Sequence, residues 1–170
     1  MFTRFIAGAL AIIFALTGSL AARAQDAVTP EDILTLAKGA VLVSASVDEA
    51  KALALTDGDP ESNWSAPTKK YPPPYVFVFE LVAPAAISQV GIIGAGPRPG
   101  GVAGGSAGNV TVEGSSVGPD TGYIPLATID ADPDGATMAP SAAEAPVRWL
   151  RFTVNTAQSP DASWLYFTEV

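Results

Sequence analysis

The chain has 170 residues, no Cys, no His and a formal net charge of −8. Without His or Cys it lacks the usual nucleophilic, zinc-ligating and general-base side chains, and an acidic chain with no Lys/Arg cluster argues against nucleic acid or anionic membrane surfaces as partners. Its 16 Gly and 15 Pro lie well above the share of about 12% in an average composition, which breaks helices and favours short strands joined by turns.

Residues 1–24 read as a secretory signal peptide. Arg4 gives a positive start, Phe5 to Leu16 is apolar, and Ala22-Arg23-Ala24 is a small-x-small cleavage site. The apolar run is shorter than the roughly 20 residues that span a bilayer, so the mature chain is expected to have no transmembrane segment. The expected mature domain, Gln25 to Val170, has 146 residues and keeps 7 of the 9 basic and all 17 acidic residues, for a net charge of −10. That is a single domain, exported to the periplasm or the extracellular space, and long enough to bury a core without disulfides.

One short N-terminal helix is signalled. Thr29 can cap it, Pro30 suits its first position, Glu31 and Asp32 complement its positive end, and it stops near Lys38-Gly39. Everything after that reads as strand and turn. Ala40 to Ser46 is expected as a strand, and Tyr75 to Val82 (YVFVFELV) as a central strand buried on both faces. Further strands are expected at Ile87 to Ile93, Asn109 to Gly114, Tyr123 to Asp130, Val147 to Val154 and Ser163 to Val170. In VRWLRFTV, Leu150, Phe152 and Val154 share one face while Arg151 and Thr153 share the other, the pattern of a half-buried strand. So many strands with no helices between them predict an all-β, antiparallel β-sandwich.

The Gly-rich stretch Gly94 to Gly108 is expected as a loop, and it holds two misleading matches. Gly94 and Gly96 begin a G-x-G-x-x-G dinucleotide fingerprint, but the third position is Pro99 and the following residues cannot form the helix that holds a pyrophosphate. Gly104-Gly105-Ser106-Ala107-Gly108 spells G-x-S-x-G, yet no helix follows it and the chain offers no His base. Carboxylate pairs can act as acid and base, but Asp57, Asp59, Asp130, Asp132 and Asp134 sit in turns, where capping and solubility account for them. The chain reads as a non-enzyme. The sequons at Asn63 and Asn109 read as chance matches in a bacterial host.

Ala54 to Trp64 (ALTDGDPESNW) is the most informative segment. It has two readings: an Asx-stabilised turn ahead of a core Trp64, or a set of oxygen donors for a hard cation. Pro60 and Glu61 break the spacing of an EF-hand.

LTDGDPESNWSAP, an aromatic-rich strand, GNVTVEGSSVGPDTGYIPLATI and VRWLRFTVNTAQSPDASWLYFTEV follow one another in this chain. In that order they resemble the discoidin family, also called the coagulation-factor type C domain, which includes the family 32 carbohydrate-binding modules. The resemblance covers roughly Ile33 to Val170, and it implies a galactose-binding-like jelly-roll sandwich. It also implies a structural calcium ion (Ca2+) held by the Ala54 carbonyl, the Asp57 side chain, the Asp59 carbonyl, Ser62, Thr168 and Glu169. Trp64 would be a core residue under that turn. Ligand sites in the family lie in loops at one end of the sandwich, and sugar binders stack an aromatic on the pyranose face. The loop candidates in this chain are Lys69, Lys70, Tyr71, Arg98, and Tyr123 or Trp164, with packing against the sandwich edge as the competing role for each aromatic. Relatives run a few residues past the final TEV, so the last strand is expected to be short or the chain to be part of a longer protein.

Two functions follow as expectations. One is an exported binding module for a glycan or envelope polysaccharide. The other is a structural or protein-interaction domain with no sugar ligand. They separate on whether Tyr71, Tyr123 or Trp164 is exposed beside polar groups.

Overall fold

The computed structural model describes residues 31–59, 61–94 and 105–170. Its strands are β1 (Val41–Ala45), β2 (Trp64–Pro67), β3 (Tyr75–Ala85), β4 (Gln89–Ile93), β5 (Asn109–Gly118), β6 (Thr121–Asp130), β7 (Ala136–Pro140), β8 (Val147–Val154) and β9 (Trp164–Phe167). Five of them form one antiparallel sheet in the order β1-β3-β8-β5-β6. The pairs β2-β9 and β4-β7, also antiparallel, make the opposing layer. The chain end ties these two pairs together, because the Ile93 N–H donates to the Glu169 carbonyl at 2.9 Å and the Thr168 N–H donates to the Ile93 carbonyl at 3.0 Å. This is the antiparallel jelly-roll sandwich that the sequence predicts.

Alternation in the strands builds the core. Tyr75, Phe77, Phe79 and Leu81 of β3 point inward beside Leu150, Phe152 and Val154 of β8 and Val110 and Val112 of β5, all buried. Trp64 closes the layer from β2. Its ring lies edge-on to Tyr75 at 5.0 Å and to Phe77 at 4.9 Å, and tilted against Phe167 at 5.6 Å. A buried Phe or Leu contributes about 1.5–3 kcal/mol, so this aromatic cluster is a main source of cohesion between the layers.

Three expectations change in detail. The α-helical turn is α1 (Glu49–Ala52), while the N-terminal stretch holds only a 3-10 turn, Leu36–Lys38. Asp32 Oδ1 accepts the Leu34 N–H at 2.9 Å and the Leu36 N–H donates to Thr56 at 2.8 Å, so the backbone there bonds elsewhere than along a helix. Thr29 and Pro30 lie outside the described residues. Secondly, β3 is fully buried on one face only: on the other face Val78 is buried, but Val76 and Glu80 are half-buried and Val82 is 72% exposed. Thirdly, the loop expected at Gly94 to Gly108 ends earlier, since Ser106 and Ala107 form bridges to Tyr166 and Ala157. Ser106 is buried there, and β5, not a helix, follows it, unlike a nucleophile elbow.

Candidate functional site

Two places in the fold gather the residues singled out above. The first is the turn after α1. Gly58 takes a φ of 76°, a left-handed conformation that glycine adopts without a steric penalty. This turn brings its oxygen donors close to one another at the surface. Asp57 Oδ1 accepts the Asp59 N–H at 2.9 Å and the Ser62 hydroxyl at 3.1 Å, and that hydroxyl also lies 3.2 Å from the Ala54 carbonyl. The Asp59 carboxylate instead accepts the Glu61 N–H at 2.9 Å, and both Asp57 and Asp59 are exposed. The Thr168 hydroxyl donates to the Ile93 carbonyl at 3.1 Å, so its side chain is turned toward β4.

Glu169 reaches the same turn from the far end of the chain. Its Oε1 is buried with no hydrogen-bond partner. Burial pushes the carboxyl up to about 7, and the negative charges of Asp57, Asp32 and Asp59 add to this, while the Gly58 N–H favours the charged form. A carboxylate oriented into such a place without a counterion fits a cation. Among the described residues no three His, Cys, Asp or Glu side chains are grouped to hold a metal, so a bound ion would depend on carbonyl and hydroxyl oxygens as well as on Asp57 and Glu169. That all-oxygen donor set suits calcium and does not suit zinc.

The second place is a cavity of about 540 Å³ between the loop after β1, α1 and the turn after β2. It is lined by Ser46, Asp48, Lys51, Ser65, Lys70, Tyr71 and Trp164, among others. Antiparallel pairing sets Trp164 opposite Pro67, at the start of the turn that carries Lys70 and Tyr71. That turn is held in place. The Lys70 and Tyr71 N–H groups donate to the Pro67 carbonyl at 3.1 and 2.9 Å, the Tyr75 hydroxyl donates to the Tyr71 carbonyl, and the Thr68 hydroxyl donates to the Ala162 carbonyl. Tyr71 and Trp164 are each 38% exposed, so both present ring surface to solvent. The Lys70 ammonium sits 4.9 Å from the centre of the Tyr71 ring.

Asp48 and Lys51 form the opposite wall, joined by a 2.8 Å ion pair. Asp48 holds a φ of 49°, which is uncommon for a residue with a side chain and often marks a site where geometry matters. The sequence reading missed Asp48, Lys51, Ser46 and Ser65. The i, i+3 spacing of Asp48 and Lys51 was a signal for the short helix, but nothing local says that this helix faces Tyr71.

Three candidates lie elsewhere. Tyr123 is on β6, with the Arg151 guanidinium 3.9 Å from its ring centre and its hydroxyl donating to the Pro119 carbonyl at 2.7 Å. It belongs to the outer face of the five-stranded sheet, where Arg151 also pairs with Glu113 at 2.7 Å, and not to the cavity. Lys69 is exposed beside Lys70 but does not line the cavity. Arg98 lies outside the described residues.

A second cavity, apolar and about 870 Å³, opens between β4 and the inner side chains Leu150 and Phe152, with Glu169 at its rim. No helix among the described residues is long and apolar enough to cross a membrane.

No protein-family model matches the sequence, and no curated protein does. Solved structures do match in shape. The family 32 carbohydrate-binding module of EndoD from Streptococcus pneumoniae superposes with a TM-score of 0.61 at 11% identity, covering 82% of this chain and 96% of that one. The C-terminal domain of a chitobiase from Bacteroides fragilis gives 0.59 at 17% identity, covering 76% and 89%. The family 32 module of NanJ from C. perfringens, solved with galactose, gives 0.57 at 14% identity, covering 76% and 90%. The resemblance read from the sequence is borne out at the level of the fold: the chain has the β-sandwich fold of the family 32 carbohydrate-binding modules.

Proposed function

We propose that this protein is an exported, non-catalytic binding module that takes a carbohydrate or a cell-envelope polysaccharide into the cavity between Tyr71, Trp164 and the Asp48–Lys51 pair. One observation carries the reading. Two half-exposed aromatic rings stand beside an ion pair and two serines in a concave site on a rigid sandwich edge. A pyranose presents an apolar C–H face and a rim of hydroxyls, and such a site offers ring surface for the first and charged hydrogen-bonding groups for the second. Two of the solved structures of this fold hold galactose or a GalNAc-galactose disaccharide, which supports the same reading. The signal-like residues 1–24 support export, and N-terminal sequencing of the secreted protein tests it by reading Gln25 as the first residue.

We also propose a structural calcium ion at Ala54, Asp57, Asp59, Ser62, Thr168 and Glu169. Its role would be to fasten the chain end to the turn before β2, and the partnerless Glu169 oxygen supports it.

The test of the binding role is titration of the purified protein against a panel of glycans and envelope polysaccharides. Saturable binding that is lost in Trp164→Ala supports the module. Absence of binding across the panel, or binding indifferent to both Trp164→Ala and Tyr71→Ala, refutes it and favours a protein-interaction domain.

A further inference from the structure

The charge of the cavity is opposite to the charge of the chain. The protein has a net charge of −8 and only four lysines, Lys38, Lys51, Lys69 and Lys70. Tertiary structure brings two of these together: Lys51 from α1 lines the cavity with Lys70. Asp48 is the single carboxylate among the lining residues, and Lys51 already engages it at 2.8 Å. Lys70 lies over Tyr71 and has no carboxylate partner among the described residues. An ammonium with no carboxylate partner beside a half-exposed ring, in a protein otherwise rich in acids, is free to pair with an anionic group of a ligand.

We propose that the cavity prefers an anionic pyranoside, one with a uronate carboxylate or a sulfate ester, over the same sugar without the charge. Lys70 faces the anion, Tyr71 and Trp164 cover the ring, and the Asp48–Lys51 pair contacts hydroxyls. This rests on the reading of the cavity as a carbohydrate site. A Lys ammonium acts as a point charge and does not by its own geometry choose between carboxylate and sulfate, so the rest of the cavity decides which anion is brought within its reach. The field is local. At ordinary ionic strength the Debye length is about 8–10 Å, so the carboxylates spread over the rest of the surface are largely screened from a ligand in contact with Lys70.

The experiment uses two matched pairs: an oligogalacturonide with its methyl ester, and a sulfated galactan oligosaccharide with its desulfated form. Calorimetric titration is expected to show one acidic member binding roughly tenfold more tightly than its neutral partner, as one close charge pair at a part-exposed site supplies. The pair that shows the difference identifies the anion. Lys70→Gln is expected to abolish the difference, Lys70→Arg to restore most of it, and Tyr123→Ala, on the far face of the sheet, to leave it unchanged.

Equal affinity within both pairs overturns the proposal, and so does a preference that survives Lys70→Gln. If the neutral members bind with sensitivity to Trp164→Ala but no acidic preference is seen, the carbohydrate site stands and only its charge selectivity is refuted. If none of the four binds and the glycan panel is also negative, both readings are overturned.

Discussion

The indole N–H of Trp64 donates to the carbonyl of Val47 at 3.1 Å. Trp64 is completely buried and Val47 immediately precedes Asp48, so this bond anchors one wall of the cavity to the aromatic core. Trp64→Phe keeps most of the ring packing but leaves the Val47 carbonyl without this donor. The expected loss is about 1–3 kcal/mol, from the unsatisfied carbonyl and the smaller ring. Denaturant melts measure it. Weaker glycan binding in the same variant, with Trp164 and Tyr71 intact, would show that the core positions the Asp48–Lys51 wall.

Glu169 links pH to stability with a definite sign. Its folded-state value lies near 7 against an ordinary 4.5, so between those values the native state holds more proton than the unfolded chain. Without metal, this group's favourable contribution is fully present below about 4.5 and is lost as pH rises to about 7. Thermal melts in chelator from about pH 5 to about pH 8 should therefore slope downward, and Glu169→Gln should flatten that slope. Calcium reverses the trend, because only the ionised carboxylate binds it, so the rise in Tm on adding calcium should grow with pH. A melting temperature indifferent to calcium at both ends of the range refutes the metal site.

Gly58→Ala isolates the geometry of the turn. The φ of 76° disfavours any residue with a Cβ, while an added methyl would meet nothing within 4 Å. The expected cost is purely conformational, about 1–2 kcal/mol, and it should come with weaker calcium binding because the turn sets the Asp57 donor. Chemical denaturation with and without calcium separates the two effects.

Trp164→Ala and Phe152→Ala should dissociate function from stability. Trp164 is half-exposed on the cavity wall, and its removal should shift stability by no more than about 0.5–1 kcal/mol while abolishing measurable glycan binding. Phe152 is buried in the core against Phe79 at 6.0 Å, so its truncation should cost about 3–5 kcal/mol. Parallel melts and titrations compare them.

Much of the sandwich was legible because strand periodicity is local. The run Val147 to Val154 matches β8 residue for residue, since alternating Leu150, Phe152 and Val154 declares its inner face. β2 and β7 escaped notice. Trp64–Pro67 and Ala136–Pro140 are short, rich in small residues and Pro, and they become strands because β9 and β4 supply their hydrogen bonds. The same limit applied to the short helices, where Asp32 and Thr56 compete for the backbone expected to form a helix.

By itself the sequence determined the export-like start, the absence of His and Cys chemistry, the all-β class and the oxygen-rich turn, because each is written in composition or in residues close in the chain. Tertiary structure decided which distant groups meet. It set Glu169 against Asp57, brought Lys51 toward the side of Lys70 and Tyr71, and sent Tyr123 to another face under Arg151. The physical reason is that a functional site depends on side chains brought together by strand pairing, and register between strands such as β2 and β9 is fixed by the collective burial of one core.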